Sequence, residues 1–246
     1  MKRKSVLNFA RNHPVLIGIL AVFSIYPVSL LWIHTSNARH ERTWDAYRDH
    51  AHQSGIPLRP TPDPLDLVHF YDESQPFRTA YGLTSHKQGF KNAAGEIVIE
   101  PTYYTIDKHF YEGLAFAITA DKTRGYIRPD ESLAFEADFD YVDSFVNGRA
   151  RVRSRPGGSK PFRTMNHGFI DTDGNVVVEV KYYGARDYIG EYAFVVKRTT
   201  FTPLYDGLMD GIDIDIGLGW LLPPRAAFVD KDGNQVSPST LKRAMK

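Results

Sequence analysis

The chain has no cysteine among its 246 residues. Disulfide frameworks, thiolate zinc sites and cysteine nucleophiles are thereby excluded together. It also lacks an excess of charge of either sign: 30 Lys and Arg face 29 Asp and Glu, a formal net charge of +1. A nucleic-acid binder needs surplus cations to neutralise phosphates, so no nucleic-acid partner is expected. There is no Gly-x-Ser-x-Gly elbow and no phosphate loop, and the lone Gly-x-Gly, Gly217 to Gly219, is not followed by Lys-Ser/Thr. Without a local catalytic signature, the expectation is a protein that is not an enzyme and uses no cofactor or metal. Long apolar runs are scarce as well, with one exception near the N terminus.

That exception is Val15 to Ile33, VLIGILAVFSIYPVSLLWI, which carries no charge. As a helix it would extend roughly 28 Å, close to the thickness of a hydrocarbon core. Pro27 is tolerated in a membrane helix, and Trp32 suits the headgroup interface. The polar stretch after Ile33 offers only weak cleavage sites, at Ser36 and Ala38, so an uncleaved signal-anchor is expected. Lys2, Arg3, Lys4 and Arg11 precede the run, and the basic flank favours the cytoplasm. The expected organisation is a basic cytoplasmic tail over residues 1–14 and a transmembrane anchor over 15–33. The rest would lie outside, as in a single-pass inner-membrane protein with a periplasmic C-terminal domain. Residues 34–64 read as a solvated juxtamembrane helix and a linker stiffened by Pro57, Pro60, Pro62 and Pro64. His50 and His52 are two apart and do not share a helix face, so the histidines there are not expected to bind metal.

Residues 65–246 are rich in what favours short strands and tight turns. The whole chain has 14 Tyr, 15 Phe, 19 Gly and 15 Pro, and 42% of it is hydrophobic. Self-comparison finds a repeat. GFKNAAGEIVIEPTYY begins at Gly89 and GFIDTDGNVVVEVKYY at Gly168; a weaker copy, GYIRPDESLAFEADFDY, begins at Gly125. A truncated copy, AFVDKDGNQV, begins at Ala227. The three fuller copies close on FYEGLAFAI, FVNGRARVR and YIGEYAFVV, each with a Gly and then a small Ala: Ala115, Ala150 and Ala193. Gly-aromatic-Ile opens a strand and Asp-x-x-Gly makes a turn. A β-branched run returns, and a third strand follows in which only a small side chain avoids the neighbouring unit. One such unit cannot bury its own face, so copies must stack. The fold class is therefore all-β, an antiparallel array of β-meander repeats near 89–118, 125–153, 168–196 and 227–236. A propeller-like ring and an open stacked sheet both fit the spacing. One transmembrane helix precedes the array.

Gly-Phe-Ile-Asp-x-x-Gly, Val-Val, Tyr, then Phe-x-x-Gly-x-Ala-x-Val resembles the WG-repeat (KWG) family of bacterial proteins over Gly89 to Val236. The usual opening Trp-Gly is absent, with Arg124, His167 and Ala226 in place of the Trp. The resemblance implies a repeat fold, frequent membrane anchoring or export, and partner binding, with no catalytic residues to carry over.

Two segments are candidate partner-binding surfaces. The insertion 199–225 holds an apolar tip, Leu218, Trp220, Leu221 and Leu222. Its aspartates, Asp206, Asp210, Asp213 and Asp215, do not match a calcium-loop pattern, and Ile-Asp alternation there reads as a strand. Arg149, Arg151 and Arg153 alternate, which on a strand places them on one side. They read as a charged edge strand or as a stripe facing an acidic partner. The expected function is a membrane-tethered, non-catalytic module of the cell envelope that recognises a protein, for instance as an inhibitor or immunity protein. Binding of peptidoglycan or envelope polysaccharide is the alternative, and a carboxylate-dependent hydrolase a third.

Overall fold

The computed structural model of the chain describes residues 14–79, 82–155, 165–197 and 225–246, with side chains from residue 31 onward. Two compact units are present. One comprises Met1–Arg42 with Arg198–Ala226, and the other Thr43–Lys197 with Ala227–Lys246. In the first, the described residues are the opening part of helix α1 (Pro14–Gln53) together with Arg225 and Ala226. There the Ala226 amide donates to Asn37 Oδ1 at 2.9 Å, and the Arg225 guanidinium lies 5.0 Å from the Trp32 ring.

The second unit is built of four antiparallel sheets. The first contains β1 (Val68–Arg78), β2 (Thr84–Lys91) and β3 (Ile97–Tyr103) in that order. The second contains β4 (Thr105–Ile106), β5 (Ala115–Ile118), β6 (Arg124–Ile127) and β7 (Leu133–Glu136). The third contains β8 (Tyr141–Val142), β9 (Ala150–Ser154), β10 (Asn166–Ile170) and β11 (Val176–Tyr182). The fourth contains β12 (Gly184–Ala185), β13 (Tyr192–Lys197), β14 (Arg225–Asp230) and β15 (Gln235–Val236). A short helix, α2 (Pro238–Ala244), follows and buries Leu241.

The sheets are out of phase with the sequence repeat. The third strand of each copy does not close its own meander but pairs with the opening strand of the next copy. Thus β5 of the first copy pairs with β6, setting Ala117 opposite Gly125. In the first copy Ile118 and Arg124 are joined by a tight turn in which the Thr119 amide donates to the Thr123 carbonyl, the Lys122 amide donates to the Thr119 carbonyl, and Asp121 accepts from the Thr123 amide.

The starting glycines have a steric cause. A Cβ at Gly89 would collide with the backbone carbonyl of Ile99, at Gly125 with that of Phe135, and at Gly168 with that of Val178. The next two residues point to opposite sides and join the sheets. Phe90, Ile99 and Tyr103 of the first sheet pack on Ile106, Ala115, Ala117 and Ile127 of the second. Tyr126 packs with Ala150, Val152 and Ile170 of the third. Phe169, Val178 and Tyr182 pack on Ala193, Val195 and Val229 of the fourth. Ala115, Ala150 and Ala193 are fully buried at these junctions, where a longer side chain would separate the sheets.

Among the described residues Phe228, the matching residue of the fourth sheet, meets no fifth sheet. Trp44 occupies that place: its ring stacks 6.1 Å from Phe228 and lies 6.0 Å from Phe194. Tyr47 packs edge-on to Tyr192 and donates its hydroxyl hydrogen bond to the Ile189 carbonyl at 3.0 Å. Trp44, Tyr47 and Ala51 fall on one helix face and are buried, so Thr43–Gln53 is a cap on the array and not a solvated stalk. The domain therefore starts before the proline-rich stretch. Among the described residues no core cluster joins the fourth sheet to the first.

Candidate functional site

Each copy carries a two-residue hairpin ahead of its third strand, and these hairpins form a chain of contacts along the array. In the first, Glu112 and Gly113 both have positive φ, 54° and 80°; in the second, Asn147 and Gly148 have 55° and 77°. That pair of conformations is the turn whose twist matches its flanking strands, and Asn-Gly favours it. The Asp63 carboxylate accepts from the amides of Glu112 (3.1 Å) and Gly113 (2.7 Å). Glu112 in turn accepts from the Gly148 amide at 2.9 Å, and the Asn147 side chain donates to the Tyr188 carbonyl at 3.0 Å. The strained backbone at Glu112 is thus tied to a contact with the next repeat.

The arginine stripe is on the third sheet, and its bonds run to the protein itself. Arg149 donates to the carbonyl of Lys231 at 2.8 Å. Arg151 bonds Asp143 (2.8 Å) and the Ala185 carbonyl (2.6 Å), and lies 3.5 Å from Asp187. Arg153 bonds Asp143 at 3.2 Å and covers the Tyr141 ring at 5.0 Å. Arg151 and Arg153 share a face as their spacing implies, alternating with buried Ala150 and Val152. Burial pushes the Asp187 carboxyl above its usual range while Arg151 opposes the shift. Burial, with Asp143 nearby, likewise raises Asp107. His167 is held below the usual imidazole range by burial, then by Arg151 and Arg153. The apolar tip, Leu218, Trp220, Leu221 and Leu222, lies outside the described residues.

An open cleft of about 440 Å³ borders Thr102, Tyr103, Thr119, Asp121, Thr123, Glu131 and Leu133. Glu131 holds φ at 65° in the turn position where the other copies have Gly95, Gly174 and Gly233. Its carboxylate accepts from the Tyr103 hydroxyl at 3.4 Å. Burial first, and Glu131 second, push the Tyr103 phenol up to about 12. Among the described residues no group of three or more His, Asp or Glu is placed to hold a metal ion.

The end of the stack opposite the Trp44 cap is the feature that composition and motif did not point to. In the first sheet Lys91 stands where Ile127, Ile170 and Val229 face a preceding sheet, and its ammonium lies 4.2 Å from the Phe70 ring. A Cβ built on Gly95 would meet nothing within 4 Å, whereas one on Gly174 would strike Phe135 and one on Gly233 the Val177 carbonyl of the preceding sheet. Val68, Tyr71 and Leu83 are 57%, 50% and 68% exposed. Among the described residues the first sheet also has three strands where the others have four. No motif marks this end in the sequence: residues 65–78 carry no Gly-x-Ala like that of the third strands.

The family model described as WG containing repeat matches residues 89–122, 125–155 and 168–198. These three segments are WG repeats, and their starts fall at or next to Gly89, Gly125 and Gly168. No curated protein and no solved structure matches it.

Proposed function

We propose that this WG-repeat chain is a non-catalytic binding module that recognises a protein partner through the uncapped end of its array. The observation that carries this reading is the asymmetry of the stack. One end is closed by Trp44 and Tyr47, while the other exposes Val68, Tyr71 and Leu83 on a sheet one strand short. Repeat arrays need polar caps at both ends to stay monomeric, and an end dressed only by Lys91 over Phe70 suits a reversible partner. The uncharged run 15–33 supports a tether at the cytoplasmic membrane, with the array on the outer side. The side chains of residues 14–30 lie outside the description, and among the described residues no helix is long and apolar enough to cross a membrane.

The test is crosslinking and affinity capture of the full-length protein from native membranes, comparing wild type with Val68→Glu and Leu83→Glu. One stoichiometric protein partner, lost in these variants and retained in a Glu179→Gln control, supports the reading. Capture of nothing but cell-wall polymer would overturn it. A second reading, binding of an envelope polysaccharide, is favoured by the cleft, where Thr102, Thr119, Thr123 and Tyr103 offer hydroxyls beside two carboxylates. Co-sedimentation with isolated cell wall, abolished by Tyr103→Ala, would support that second reading.

A further inference from the structure

The register of the four sheets shows what the first one lacks. Phe70 lies opposite Gly89 as Ala117 lies opposite Gly125 and Val152 opposite Gly168. β1 therefore holds the place of β5 and β9. In those sheets a further strand covers the outer edge: Thr105 and Ile106 pair with Ile118 and Ala117, and Tyr141 and Val142 pair with Arg153 and Val152. In the fourth sheet Gly184 and Ala185 pair with Val196 and Val195. Among the described residues nothing pairs with the outer edge of β1, although at Val68–Arg78 it is the longest strand of the unit. The chain before it does not fill the place, because Asp63 is engaged with the Glu112–Gly113 turn.

We infer that the outer edge of β1 takes an extended segment of a partner protein as a fourth strand, with an aliphatic residue opposite Phe70 followed by an aspartate opposite His69. This inference rests on the proposed binding function and names its mode.

The occupant is specified by what fills the equivalent places. After the short strand in the second and third sheets comes an aspartate, Asp107 or Asp143, whose amide donates to the carbonyl of Phe116 or Arg151. Asp107 also accepts from the Phe116 amide at 3.1 Å. His69 occupies the Phe116 position, so its amide and carbonyl point outward along with those of Tyr71, the counterpart of Ile118. Charge agrees with this choice, since Lys108 and His109 lie close enough to His69 to act on its ionisation. An acidic strand would meet the Lys108 ammonium there. Main-chain pairing supplies affinity, and the alternate side chains supply selectivity. An exposed edge is also the usual site of unwanted pairing, and the bulge between Asp72 and Pro76 limits the open stretch to the residues before it.

The experiment measures binding of a fluorescent synthetic peptide copying residues 137–146, Ala-Asp-Phe-Asp-Tyr-Val-Asp-Ser-Phe-Val, to the full-length protein in detergent. Binding is followed by anisotropy and by amide hydrogen exchange. Expected are saturable binding, slowed exchange at residues 69–72, and weakening of about tenfold in Tyr71→Pro, which removes one outward donor and leaves the bonds to β2. A peptide with the positions of Val142 and Asp143 changed to Gly and Lys should bind no better than Tyr71→Pro protein binds the parent. An unchanged melting temperature shows that the variant folds. Unaltered binding in Tyr71→Pro, or protection elsewhere, overturns the inference. So does concentration-dependent self-association through β1, which would make a second copy the occupant. If a membrane partner is still captured by Tyr71→Pro but lost in Val68→Glu, the edge-strand mode fails while the binding function stands.

Discussion

Replacing Arg151 with Ala removes a polar link between the third and fourth sheets. The guanidinium bonds Asp143 at 2.8 Å and the Ala185 carbonyl at 2.6 Å, and reaches Asp187 at 3.5 Å. The Arg151 side chain is 22% exposed, Asp143 27% and Asp187 35%, so solvent screens the pairs in part. Stranding charged partners in a dry interior costs about 3–5 kcal/mol, and exposed pairs are worth about 0–1 kcal/mol. With Arg153 still on Asp143, the loss here should be about 2 kcal/mol, or roughly 4–8 °C in Tm for a unit of this size. The pH dependence sharpens the test. Asp187 is already raised by burial, and losing Arg151 raises it further. A carboxyl whose folded pKa is raised weakens the fold above that pKa and ceases to do so once protonated. The deficit of Arg151→Ala relative to wild type should therefore be largest at neutral pH and shrink towards pH 4. Urea melts at several pH values read this directly. A deficit below about 0.5 kcal/mol, or one that grows on acidification, would refute the reasoning.

Gly168→Ala drives a Cβ into the Val178 carbonyl and should lower stability by more than about 2 kcal/mol, while Gly184→Ala, whose nearest neighbours are ordinary contacts with Val196, should be far milder. Trp44→Ala uncovers Phe194 and Phe228 and should cost about 3–5 kcal/mol, measured by chemical denaturation. Glu131→Gly relieves positive φ and loses only the long Tyr103 contact, so its stability should stay within about 1 kcal/mol of wild type, with gain favoured. Alkaline titration should show stability full below pH 10 and falling from pH 10 to 12. Tyr103 stays neutral to about 12 when folded and Tyr126 and Tyr188 are also raised by burial, while unfolded tyrosines ionise near 10. The part of the tyrosinate absorbance that Tyr103, Tyr126 and Tyr188 contribute should then rise together with unfolding and not before it.

The repeat was legible because its marker residues answer to hard constraints. Gly89, Gly125 and Gly168 avoid a carbonyl, and Ala115, Ala150 and Ala193 sit where sheets meet. The Asp171 and Asp230 turns hold as their spacing suggests, each carboxylate accepting amides two and four residues on. The phase of the sheets was hidden, since a strand's own composition does not say which neighbour it pairs with. The cap was readable in principle: Trp44, Tyr47 and Ala51 have helical spacing, but the charged residues between them masked it. The open edge of β1 was not readable at all, because a missing strand leaves no residue to mark it. The arginines were identified as one face, yet their carbonyl and carboxylate partners come from Ala185, Asp187 and Lys231, distant in sequence.

Site-specific photocrosslinking from residue 71 of the full-length protein in native membranes tests the central claim most directly, with residue 179 on the third sheet as the control position. The account predicts one protein adduct from position 71, stoichiometric on saturation, and none from position 179. No adduct at 71, or the same adducts from both positions, would contradict it.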